Sequence, residues 1–272
     1  MAFKLGYEHF FTGTQIMITA AIYGLIGGMA LFIGALIGLY MKVSKRTVGV
    51  VMAFGSGVLI SALTFDLMEQ AYQSGGFDSV SIGFIAGALL FVFGDYLIDS
   101  YGGSSRKSGH GTRHAKKKKI TAVNSKLASS GSAIFLGALL DGIPESAAIG
   151  IGLAAGKGVG LSMLVAVFLS NLPEGISGAR GMKESGHSQG YIMTVWIGTI
   201  ALSSVAAAIG YTLLGHASKD TIAATLALAA GAILAMIADT MMPEAFEEGG
   251  RFVALVTVTG FLLAFVVSHL AG

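Results

Sequence analysis

Residues 131–180 read GSAIFLGALLDGIPESAAIGIGLAAGKGVGLSMLVAVFLSNLPEGISGAR. Two apolar runs of span length meet at the short break Gly156 to Gly160, and each carries a proline followed by a glutamate near its middle. A membrane crossing takes about 20 mostly apolar residues, so this stretch predicts a tight antiparallel pair of helices in the bilayer. Proline inside a helix removes one backbone hydrogen bond and frees a carbonyl. A bilayer tolerates that where the freed group faces protein or a polar cavity. A carboxylate next to each proline therefore predicts two locally opened helices lining a site.

Working outward, the same length rule finds eight windows, at 15–41, 48–72, 80–99, 129–154, 159–180, 190–215, 221–243 and 251–270. Between them lie turn or charge signals such as Ser74-Gly75-Gly76 and Glu247 to Arg251. Only 12% of the 272 residues are charged and 54% are hydrophobic, about half the charged share of a soluble chain. Forty glycines suit closely approaching membrane helices. The expected fold is an all-α polytopic membrane protein with eight transmembrane helices in a single domain over 1–272. The first run is too long for a signal sequence and is expected to be the first span.

Basic residues orient the chain. With the N-terminus outside, the inner loops 42–47, 100–128, 180–190 and 244–251 hold 14 of the 17 lysines and arginines. The positive-inside rule thus selects both termini outside. Segment 100–127 is rich in Gly, Ser and Lys and is expected to be a flexible basic cytoplasmic loop. Its two histidines, His110 and His114, offer a loose metal contact, but a solvated loop touching anionic lipid headgroups is the better expectation. Nucleic acid is not an expected partner; the lipid bilayer is.

The acids decide the function class. Asp66, Asp95, Asp141, Glu145, Glu174 and Asp239 fall inside windows, with Glu69, Asp99 and Glu244 nearer the ends, and no Lys or Arg lies deep in any window. An ionisable group at mid-bilayer costs at least ~2.5–3.5 kcal/mol, so protons or metal ions must offset these charges. All three prolines precede glutamates, at Pro144-Glu145, Pro173-Glu174 and Pro243-Glu244. Asp141 and Glu145 share one helical face. Ser170, Asn171 and Glu174 form the opposing stripe. Together they predict an oxygen-rich site for a divalent cation. Asp66 is an outer vestibule acid in this reading, or only a helix contact. Asp239 and Glu244 mark an inner exit.

At these residues the chain resembles the ZIP family of metal transporters. The resemblance covers essentially the whole chain and is most specific at Asp141-Gly142-Ile143-Pro144-Glu145-Ser146 and Asn171-Leu172-Pro173-Glu174-Gly175. It implies uptake of zinc, iron, manganese or cadmium across the inner cell membrane through a site between spans four and five. It also implies inverted repeats relating spans 1–3 to 6–8, a homodimer, and movement of a transport unit against a scaffold. The family's usual His-Asn before the first Pro-Glu is Asp141-Gly142 here, its His-Glu late in span seven is Asp239-Thr240, and span six has no acid, with Ser203 or Ser204 about there. One central ion and an all-oxygen ligand set follow as expectations. Zinc leads on the general affinity order, with harder ions such as manganese brought closer by carboxylates. Beyond the transported divalent metal no cofactor is expected.

Other function classes remain in view at this level: a proton- or cation-coupled small-solute transporter, and a membrane sensor that binds metal without moving it. Metal-dependent thermal stabilisation separates the first; a flux measurement separates the second. Enzyme activity is not expected. The chain has no Cys and no His-Glu-x-x-His, and no G-x-S-x-G turn is expected.

Overall fold

Ser44 and Ser218 start two long helical stretches in the same way. The structure, a computed structural model, describes residues 13–100, 131–154, 159–214 and 217–271. Each of these serines sits in extended backbone. Its hydroxyl accepts the amide of the threonine three residues on, Thr47 at 3.0 Å and Thr221 at 3.2 Å. That satisfies one of the unpaired donors at a helix start.

In chain order the helices are α1 (Gly13–Tyr40), α2 (Lys45–Ala62), α3 (Glu69–Ser100), α4 (Gly131–Ala154), α5 (Val159–Glu184), α6 (Gln189–Leu214), α7 (Lys219–Met236), α8 (Met242–Gly249) and α9 (Val253–Ala271). π-helical segments at Leu63–Met68 and Ile237–Met241 carry the chain from α2 into α3 and from α7 into α8. Both hold an expected functional acid, Asp66 in the first and Asp239 in the second. A π segment widens one turn, leaves a backbone carbonyl less well paired, and recurs at functional positions.

Five stretches of the described residues are long and apolar enough to cross a membrane: Gln15–Tyr40, Lys45–Ile98, Leu136–Ala154, Gln189–Leu214 and Lys219–His269. Two of them run 54 and 51 residues. Straight helices of about 50 residues would reach about 75 Å, more than twice the hydrocarbon thickness. Each is instead broken at a glycine pair, where Gly76 takes φ 70° and Gly250 takes φ 77°. Side chains with a Cβ rarely adopt that conformation. The sequence windows at 48–72 and 80–99, and those at 221–243 and 251–270, therefore share continuous stretches. The expected loop at Ser74-Gly75-Gly76 is a kink one residue wide. Window 159–180 lies within α5, which is not among the five stretches.

Packing divides the helices into two groups. Helix α1 lies against α5 and α6, and α4 lies against α6; separately, α3 lies against α7 and α2 against α9. Contacts of α2 with α5 and of α4 with α7 join the groups. Glycine sets two of the closest approaches. Gly57 of α2 rests on the Thr257 carbonyl of α9, and Gly260 of α9 on the Phe54 carbonyl of α2. Gly231 of α7 rests in the same way on the Phe84 carbonyl of α3, and Gly87 of α3 on the Leu228 carbonyl of α7. A Cβ on any of the four would collide with that oxygen. The serines, the threonines, Gly57 and Gly231, and Gly76 and Gly250 recur in the same order and at the same spacing.

A second, smaller apolar cluster joins α1, α5 and α6 through Leu31, Ala35, Leu39, Ala179, Met182, Ile192 and Trp196. Trp196 is 1% exposed, and its indole N–H has no hydrogen-bond partner.

Candidate metal-translocation site

Pro144 and Pro173 lie inside α4 and α5, as the sequence pattern predicts, and both helices continue through them. The polar residues beside them are buried. Glu145 and Ser170 are fully enclosed, and Asp141 and Asn171 are nearly so. Glu174 is half-buried.

Ser170 bridges the two helices. Its hydroxyl lies 3.3 Å from Glu145 Oε1 and 3.0 Å from the carbonyl of Val167, and it donates its one proton between them. The other carboxylate oxygen, Glu145 Oε2, is buried with no hydrogen-bond partner. Asn171 donates Nδ2 to the carbonyl of Gly27 on α1 at 3.1 Å. A carbonyl accepts and cannot donate, so this bond fixes the amide's orientation. Asn171 Oδ1 is thereby turned away from α1, and it too is buried without a partner. Such atoms carry a desolvation cost of about 1–3 kcal/mol each. Asp141 stands one helical turn before Glu145, and the two negative charges oppose each other.

These groups are acceptors, not donors, in a dry setting. That is the chemistry of a cation site. Yet among the described residues no three of His, Asp and Glu converge closely enough to hold a metal ion. The structure brings Glu145 to Ser170 and sets Asp141 beside them. It shows no such gathering of all three expected carboxylates.

The outlying acids fall in three places. Asp66 is 9% exposed, and Ser268 of α9 donates to its Oδ1 at 3.2 Å. Its neighbour Phe65 packs against Phe261, Phe265 and His269. Glu69 is exposed and accepts a bond from Gln73 at 2.7 Å. Asp95 is buried on α3. At the far end, Asp239 is exposed, and Glu244 accepts a 2.6 Å bond from Ser177 of α5. The basic segment with His110 and His114 lies outside the described residues.

Toward the end of α5 a cleft of about 390 Å³ is lined by Lys45, Arg180, Lys183 and Glu184. Arg180 donates to the carbonyls of Val43 at 2.7 Å and Met41 at 3.4 Å, and Lys183 donates to Leu39 at 3.0 Å. Both basic side chains thus neutralise the exposed carbonyls where α1 ends. Glu248 sits nearby on α8. Partial burial pushes its carboxyl up, the charges of Lys45 and Arg180 pull it back, and Glu247 and Glu184 push it up again.

No known family model matches this chain. It is 23% identical over 232 residues to a protein of Arabidopsis thaliana described as a "Putative zinc transporter". The match takes in 85% of this chain and 35% of that protein. The chain therefore spans about a third of the length of the curated relative it matches. With five stretches long and apolar enough to cross a membrane among the described residues, this is a multi-pass helical membrane protein.

Several participants were not singled out from sequence. Ser177 follows Ser170 and Glu174 on the same stripe of α5, so one more turn of the pattern would have found it. Arg180 follows at the next position on that face. Gly27 acts through its carbonyl and leaves no side-chain signal. Ser203 faces Gly28 and Gly142, whereas Ser204 turns away and donates to Ala21 at 2.8 Å. One sequence expectation needs correcting. Gly186-His187-Ser188-Gln189-Gly190 does fit the G-x-S-x-G spacing. It lies at a helix-to-helix turn, where Ser188 Oγ accepts the amide of Tyr191 at 3.3 Å as a helix cap, and no strand precedes it. A nucleophile elbow needs a strand-to-helix turn.

Proposed function

We propose that this protein carries a divalent metal cation into the cell, zinc first, as a ZIP-type transporter, with the ion held between α4 and α5. The observation that carries this reading is the pair of buried acceptor atoms, Glu145 Oε2 and Asn171 Oδ1, left without donors beside the two intrahelical prolines. Asp141, Ser170 and Glu174 complete the ligand set when the ion arrives and the helices close on it. Asp66 receives the ion outside; Asp239 and Glu244 receive it inside. Iron, manganese and cadmium are further substrates of such an oxygen-rich site. The site takes one ion, because Gly142 brings no side chain and the residue facing it from α6 is Ser203 rather than an acid.

Eight spans in an inverted-repeat layout fit this reading. The repeated serine caps, π segments and glycine kinks support it, and so does the matched pair of glycine contacts, α2 with α9 and α7 with α3. Residues assigned to one side of the membrane also meet: Ser268 with Asp66 outside, and Arg180 with Val43 inside. Within that layout the α1–α4–α5–α6 group moves against the other as a homodimer in the inner cell membrane.

The test is uptake into proteoliposomes with zinc, manganese, iron and cadmium in competition. Glu145→Ala and Glu174→Ala are each expected to abolish uptake while the protein remains folded. Unchanged uptake in both would sink the proposal. Ligand carboxylates must be deprotonated to bind, so ion affinity falls as the medium is acidified.

A further inference from the structure

Two faces meet at the inner mouth in matched register. On α5, Ser177 and Arg180 are one turn apart; on α8, Glu244 and Glu248 are one turn apart. Ser177 bonds Glu244 at 2.6 Å. Glu248 lies in the field of Arg180 and of Lys45 at the start of α2, with Glu247 and Glu184 as the opposing charges. Arg180 is not a loose surface side chain. Two backbone carbonyls beyond α1 hold it in place, and Lys183 is tied to a third. A dication leaving the central site past Glu244 therefore arrives, one turn on, at Glu248, a carboxylate that already faces a fixed positive charge.

The geometry points to Arg180, with Lys45, as a built-in countercharge that keeps Glu248 from retaining the departing cation. This inference rests on the transport reading above. Carboxylates at an exit attract the ion, and without opposition they would slow its release. A tethered guanidinium lowers their affinity without blocking the path, because it is held to one side by α1. It also cannot drift off with the ion, as a dissolved counterion would. Arg180 and Lys45 act here as positioning charges for Glu248 and touch no substrate.

The experiment compares wild-type protein with Arg180→Gln, Arg180→Lys and the double variant Arg180→Gln/Glu248→Gln. Zinc-65 uptake into proteoliposomes gives turnover and KM, and equilibrium dialysis of purified protein against zinc gives retention. Arg180→Gln is expected to retain zinc roughly tenfold more tightly, the effect of removing one nearby charge at a partly exposed site. Its turnover falls by a similar factor while KM measured from outside does not rise. Arg180→Lys keeps the charge and stays near wild type. The double variant recovers turnover, because the acid that traps the ion has gone. A purely structural strap between α5 and α1 would instead lower thermal stability in Arg180→Gln, with no rescue by Glu248→Gln. That result overturns the inference, as does unchanged retention and turnover in a folded Arg180→Gln. Wild-type protein that moves no zinc, manganese, iron or cadmium overturns the transport reading itself, and this inference with it.

Discussion

Glu145 is enclosed on all sides, yet one of its carboxylate oxygens has no donor. A residue kept for packing would not be left in that state, since a neutral side chain of similar shape serves a core better. Glu145→Gln is accordingly expected to keep or raise the melting temperature of the metal-free protein while removing uptake. A fall of more than about 5 °C, roughly 2–3 kcal/mol in a chain this size, would mark Glu145 as structural. Asn171→Asp tests the partner atom. It replaces the amide donor to Gly27 with an acceptor, so the buried carbonyl is left facing like polarity at a cost of about 1–3 kcal/mol. Lower thermal stability together with altered metal preference is the expected outcome.

Helices α2, α3, α7 and α9 show that glycine does two different jobs in this chain. Gly231→Val drives a side chain into the Phe84 carbonyl and is expected to cost at least the 1–3 kcal/mol typical, to a rough approximation, of overpacking. Gly190, near the start of α6, has open space around it. Gly190→Ala is expected to be neutral or to stabilise by roughly 0.4–1 kcal/mol. Unfolding in detergent monitored by circular dichroism separates the two. Glu248 adds a pH dependence. Its folded-state carboxyl is raised, chiefly by burial, so the folded form binds its proton more readily than the unfolded chain does. Stability from this group therefore falls as pH rises from the ordinary carboxylate value through the raised one. Glu248→Gln removes that slope, and melting curves across the acidic range read it.

At the scale of the molecule, the two π segments are unequal. Asp66 is 9% exposed, while Asp239 in the other π segment is open. The chain has no cysteine, so Asp66→Cys and Asp239→Cys introduce single thiols without further engineering. A membrane-impermeant thiol reagent is expected to modify Asp239→Cys from the inner side much faster than Asp66→Cys from the outer side. Equal rates would mean that the two π segments are open alike. Much of this architecture is legible in the residues. Helical class and the burial of Asp141, Glu145, Ser170 and Asn171 follow from window length and from stripes of polar residues at helical spacing. Ser74-Gly75-Gly76 reads as a loop because glycine pairs usually punctuate; in the structure hydrogen bonding resumes on both sides of one left-handed residue. The π segments leave no composition signal, since they differ from α-helix by one residue per turn. Arg180 reads as a loop charge because its tie to α1 spans sequence-distant backbone carbonyls, which no side-chain pattern reveals.

Trp196 is the chain's one tryptophan. It lies sealed among Leu31, Leu39, Ala179 and Met182, with its indole N–H unbonded. An indole in so dry a setting emits at short wavelength, and water reaching it shifts the emission to the red. The protein thus carries its own optical reporter for the seam between α1, α5 and α6, and nothing need be attached to see it.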